Sequence, residues 1–147
     1  MYPNIAAFVA LQLAAAAYAL WRGGAPERVA AGMQVGAAFF TAIGYASSAT
    51  RFAQIEWAAF SIDTVLFAGL YALALRSNRI WPLGMAACQL AAIFVNLARA
   101  ADFGMSALGY AFLLKVWGYP MVLILAVAVV RHRRRLSQSG VDKAWSW

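Results

Sequence analysis

Asp63 stands inside an apolar run, Trp57-Ala-Ala-Phe-Ser-Ile-Asp-Thr-Val-Leu-Phe-Ala, and Lys115 stands inside another. An ionisable side chain in such a setting costs several kcal/mol unless it finds a partner, so these two are the first candidates for chemistry. Asp63 falls about two helical turns from one end of its segment, with Glu56 on the same face seven residues before it. Lys115 falls at nearly the same depth in its own segment. Gln89, Asn96 and Arg99 share one face of a further segment, at spacings of seven and three. Gln12 and Tyr45 lie in the middle or the same half of theirs, whereas Gln34 lies in the opposite half. The expectation is a polar cluster of Asp63, Lys115, Asn96, Arg99, Gln89, Glu56, Tyr45 and Gln12 in one half of a helical bundle. Its natural centre is an Asp63–Lys115 ion pair, either locking two helices or lining a cavity for an ion, a proton or a small ligand. A buried pair needs further hydrogen bonds merely to offset desolvation, and Asn96, Gln89 or Tyr45 would supply them.

Catalysis is not expected. The chain has one histidine, His132, set inside an arginine run, and one cysteine, Cys88. That leaves no Ser–His–carboxylate set, no clustered metal ligands and no disulfide. Glu56 and Asp63 would stand about 10 Å apart along a helix, too far to share a proton. No glycine loop of the phosphate-cradling kind occurs. A lysine with a carboxylate counter-ion suits a retinal site, but the shallow lysine and the number of segments argue against it. No metal or cofactor is expected.

The elements that must position these residues follow from the apolar runs. Of 147 residues, 65% are hydrophobic and only 12% charged, with a mean hydropathy of +0.70. A soluble domain would carry about a quarter charged residues. Crossing a 30 Å hydrocarbon core takes about 20 apolar residues. Five stretches qualify, at about 3–21, 29–48, 57–75, 80–98 and 107–130. The predicted fold is all-α, a polytopic membrane bundle over 1–130 followed by a basic cytoplasmic tail over 131–147. The opening Met-Tyr-Pro-Asn lacks the basic residues of a signal peptide, so the first stretch is expected to be a retained span.

Orientation follows from the cations. Arg22, Arg28, Arg76, Arg79, Arg131, Arg133, Arg134, Arg135 and Lys143 fall on one side, nine in all, against Arg51 and Arg99 on the other. The positive-inside rule then puts the N-terminus outside and the C-terminus in the cytoplasm. An odd number of spans requires the same split. Next to an apolar segment, the arginine run fixes orientation rather than binding nucleic acid. The bias to Ala, Gly and Arg over Lys suggests a GC-rich bacterial genome, and the expected location is a bacterial inner membrane.

Small residues supply packing signals. Gly32 and Gly36 form a G-x-x-x-G pair with Gly44 further along, and Gly84, Cys88 and Ala92 make a stripe on the fourth segment. Both are expected to pack helices within the bundle first, and against a partner second. Tyr18-Ala-Leu recurs at Tyr71, each before a basic turn, as a weak sign of related hairpins. Trp21, Trp57, Trp81 and Tyr110 fall near span ends, where amphipathic rings favour the headgroup zone. Arg131, Arg133, Arg134 and Arg135, with Trp145 and Trp147, are expected to touch a partner protein or lipid headgroups. The leading functional expectation is a small accessory or structural subunit of a larger membrane assembly, bound to other subunits or to itself. A transporter, channel or small-ligand receptor using the polar cluster is the alternative, and a holin-like pore former the third.

Overall fold

The computed structural model describes residues 3–46, 57–101 and 106–145. They form five helices: α1 (Pro3–Arg22), α2 (Ala25–Ala46), α3 (Trp57–Arg76), α4 (Trp81–Ala101) and α5 (Ala107–Ser139). Among the described residues there is no strand, only an isolated bridge between Ser77 and Trp145. The all-helical expectation is met. Each helix packs on the next, and α5 closes the ring onto α1 while also touching α2.

Local sequence sets the boundaries. Gly23 and Gly24 separate α1 from α2, and Pro26 and Glu27 open α2, where a missing N–H costs nothing and an acid meets the helix dipole. Pro82 does the same for α4. Ser106 caps α5 by accepting from the Gly109 N–H at 3.1 Å. At the other end Gly140 adopts a left-handed conformation, φ 69°, and its N–H closes on the Leu136 carbonyl. The helix therefore runs past Val130 and through the arginine run to Ser139, further than the apolar pattern predicts. Its 33 residues span about 50 Å, well beyond a 30 Å hydrocarbon core, so its charged end must project from any membrane it crosses.

Three helices are long and apolar enough to cross a membrane: α3, α4 and the Phe112–Ser139 part of α5. The expectation of five is not supported by the other two. The apolar stretch described in α1, Ala6–Arg22, is shorter. In α2, Glu27, Arg28 and Gln34 interrupt a sequence rich in alanine and glycine.

The core runs down the centre of the ring. Ala16 and Ala19 of α1 and Ala30 and Ala31 of α2 meet Leu66, Leu70 and Leu73 of α3, Met85 and Ala86 of α4, and Met121, Leu125 and Val129 of α5. Large apolar side chains such as Phe39, Phe40, Val65, Leu75, Phe94 and Leu123 point outward.

The two small-residue stripes behave differently. On α4, a Cβ at Gly84 would stand 3.4 Å from Ile124 of α5, Ala92 is buried, and Cys88 packs against the core. On α2, nothing lies within 4 Å of a Cβ placed at Gly32 or Gly36, and the space beside Gly44 is open as well. Among the described residues, then, nothing packs against α2 at Gly32 or Gly36. The close approach between α2 and α3 uses Gly69 instead, where a Cβ would stand 2.7 Å from the Met33 sulfur.

Candidate functional sites at the two ends of the bundle

Asp63, Gln89, Asn96 and Tyr110 meet where α3, α4 and α5 converge. The Gln89 amide donates to Asp63 Oδ1 at 2.8 Å and, more weakly, to the Asp63 backbone carbonyl at 3.4 Å. The Asn96 amide donates to Asp63 Oδ2 at 3.3 Å and to the Ala92 carbonyl at 3.1 Å. The Tyr110 hydroxyl donates to Asn96 Oδ1. Arg99, one turn on from Asn96 and also buried, lies over the Tyr110 ring at 6.0 Å. Asn96 thus spends both amide protons and its oxygen on three partners. Complete networks of this kind fix helices against one another, and single interhelical bonds in membranes contribute about 0.6 to 1.7 kcal/mol.

This corrects the expected centre of the cluster. Asp63 takes its hydrogen bonds from Gln89 and Asn96, and among the described residues no ion pair joins it to Lys115. The reason is angular. Lys115 is five residues beyond Tyr110, about 140° around the same helix, so the face that meets Asn96 is not the one carrying the lysine. Gln12 also leaves the set, its amide donating to the Gln34 carbonyl across α1 and α2 at 3.4 Å. Tyr110 is buried at the network. Trp81 packs against the core, while Trp21 and Trp57 are exposed. Glu56 and the side chain of Tyr45 lie outside the described residues.

A second cluster gathers at the opposite end around Asp142, whose side chain is only 6% exposed. Arg79, from the α3–α4 turn, donates to Oδ1. Arg135 donates through Nε to Oδ1 at 3.0 Å and through Nη2 to Oδ2 at 3.4 Å. His132 Nδ1 stands 2.5 Å from Oδ2. Burial alone would raise the Asp142 pKa, but the hydrogen bonds from Arg135, His132 and Arg79 and the Arg79 charge outweigh it. The carboxyl is held below its ordinary range. Around it the chain after α5 folds back: Arg79 also donates to the Lys143 carbonyl at 3.0 Å, and the Asn78 N–H to the Ala144 carbonyl at 3.3 Å. Trp145 packs against the core and forms one wall of an apolar cleft of about 320 Å³ with Met33, Gly69 and Leu73.

Arg135 and Trp145, expected to touch a partner or lipid, therefore bind the chain's own bundle, while Arg131, Arg133 and Arg134 stay exposed. Trp147 lies outside the described residues. Glu27, 1% exposed, belongs to the same end: its Oε2 and His132 Nδ1 each stand 3.0 Å from a Cβ built on Gly24. Sequence reasoning passed over Asp142. Its signal is a lone acid placed just beyond a helix-ending glycine in a strongly basic segment. Among the described residues no group of three His, Cys, Asp or Glu side chains is arranged to hold a metal ion.

Two outcomes test these networks. Asn96→Leu, which removes the amide that bonds Tyr110 and Asp63, is expected to cost about 1–3 kcal/mol of stability in detergent, and Lys115→Met less than about 1 kcal/mol. Equal losses would show that the lysine shares in the network. For Asp142, ionisation is favoured by the fold, so its stabilisation is complete above the unfolded carboxyl's pKa of about 3.9 and is lost as pH falls through the lower folded value. In 5-fluorotryptophan-labelled protein, the Trp145 resonance, assigned with Trp145→Phe, should hold its docked position from about pH 7 to about pH 4. Below that it should move; a move between pH 7 and 5 would contradict the assignment.

No family model matches the chain, and neither a curated protein nor a solved structure matches it.

Proposed function

We propose that this chain is a small accessory or structural subunit of a larger bacterial inner-membrane assembly, with α2 as its docking helix. The observation that carries this reading is the outer face of α2. Gly32, Gly36, Phe39, Phe40 and Ile43 fall at helical positions i, i+4, i+7, i+8 and i+11, one face of the helix. Beside Gly32 and Gly36 the space is empty, and Phe39 and Phe40 are 61% and 60% exposed, their rings in edge contact at 5.9 Å. Glycines spaced four apart let a second backbone approach closely, and among the described residues no helix uses that approach. The occupant is a transmembrane helix of a partner subunit, resting on the glycines and gripped by the two phenylalanines. The opposite polar network supports the same reading, because its side chains bond one another. On this reading the chain performs no catalysis.

The proposed membrane arrangement has five crossings, N-terminus outside and C-terminus in the cytoplasm. At 20 and 22 residues, α1 and α2 reach about 30 Å or more, enough to cross beside the three more apolar helices. The α1–α2 link, the α3–α4 turn and the end of α5 sit together through Gly24, Arg79, His132 and Arg135. Eight of the nine cations counted on the inner side belong to these connections and to the arginine run, and Lys143 follows in the tail.

Fusions to a reporter active only in the cytoplasm should be silent at the N-terminus and active at the C-terminus. The reverse pattern would reject the orientation. For the partner, Gly32→Leu and Gly36→Leu project into open space and should leave the isolated protein at least as stable, each gaining up to about 1 kcal/mol from helix propensity. They should nonetheless abolish co-purification of the partner from membranes in mild detergent. Unchanged co-purification by both variants would remove α2 as the docking face.

A further inference from the structure

The Asp142 carboxylate sits in a setting that suits a larger anion. Arg135 meets it side-on with two nitrogens, the two-pronged contact by which guanidinium groups recognise carboxylates and phosphates alike. Arg79 and His132 approach the same two oxygens from the α3–α4 turn and from one turn earlier on α5. Two guanidinium groups and an imidazole converge on this one carboxylate, and the oxygens of a phosphate would serve all three donor groups. Glu27, at the start of α2, and His132 both stand beside Gly24, while Arg131, Arg133 and Arg134 are exposed on the adjoining turns and draw anions toward this end. The carboxylate reaches the three donors on a short tether. Gly140 ends α5 and turns the chain, and residues 141–144 form neither helix nor strand.

We propose that Arg79, His132 and Arg135 form a phosphate-binding cradle that the chain's own Asp142 occupies, so that the tail is a tethered competitor for a phosphate-bearing ligand. Tethering gives the carboxylate a high effective concentration, and the ligand's apparent affinity falls by the fraction of time the cradle is open. Free phosphate and the phosphate of an anionic lipid headgroup share the required chemistry. The lipid source rests on the membrane placement proposed above; the free ion does not, and neither depends on the face of α2. Binding would release residues 141–145, uncovering the cleft that Trp145 walls.

The test uses the full chain in a maltoside detergent, which carries no phosphate. Line broadening of inorganic phosphate in ³¹P spectra is compared for the native protein, Asp142→Asn, which keeps the shape of the side chain, and Asp142→Ala. Both variants should bind phosphate about tenfold more tightly or better. Adding Arg135→Lys to Asp142→Asn, which keeps the charge and loses the fork, should remove most of the gain. Native mass spectrometry with phosphatidylglycerol and uncharged diacylglycerol distinguishes the sources. Selective retention of phosphatidylglycerol by Asp142→Asn supports the headgroup, and a phosphate response without lipid retention supports the free ion. No gain from Asp142→Asn in a protein of native helix content would overturn the cradle, as would a gain that Arg135→Lys leaves intact.

Discussion

Asn96 lies where three helices meet, and the bundle around it follows from satisfying its amide. Two protons and one oxygen must find partners away from water, and each partner comes from a defined place: the Asp63 carboxylate on α3, the Ala92 carbonyl one turn back on α4, and the Tyr110 hydroxyl on α5. A rotation of any of the three helices by one residue would leave at least one of these groups bare. Apolar packing alone gives no such register, because leucine and alanine faces slide past one another at little cost in a hydrocarbon surrounding. Gln89, two turns from Asn96 on the same face, repeats the contact to Asp63 and fixes the tilt of α3 against α4.

At the opposite end the same problem is solved with charge. Asp142 cannot be left bare at 6% exposure, and Arg79 and Arg135 are themselves partly covered. The arrangement draws together the turn after α3, the last turns of α5, and the tail. Its consequence for packing is the placement of Trp145, which meets the core on the α2 and α3 side.

Much of this was legible in the residues, and the failures have specific causes. Helix type and approximate bounds followed from apolar runs and from Gly, Pro and Ser at their ends. Asp63, Gln89 and Asn96 could be grouped because depth and face are both periodic properties of a helix. Lys115 shares the depth of that group but not its azimuth, which depth does not report; Tyr110, at a span end, has both the azimuth and the hydroxyl that reach Asn96. The pairing of Asp142 with Arg79 spans 63 residues, and no local period reports a contact made by a chain that turns back after a helix. Trp145 was assigned to outside surfaces for the same reason, since its position in sequence resembles a free end.

The α2 helix shows why a small-residue pattern has to be read with its neighbours. Its inward contribution to the core comes from Ala30 and Ala31, while Gly32 and Gly36, one residue or a turn away, face open space. A helix interior pays about 1 kcal/mol for glycine over alanine, and a lipid-facing position offers no packing that would return it. If lipid were the permanent neighbour of this face, alanine or leucine would fill it more favourably at each position. The glycines make physical sense where a second helix comes close enough to use the missing side chains, and the exposed Phe39 and Phe40 further along the same face extend the surface that such a helix would cover.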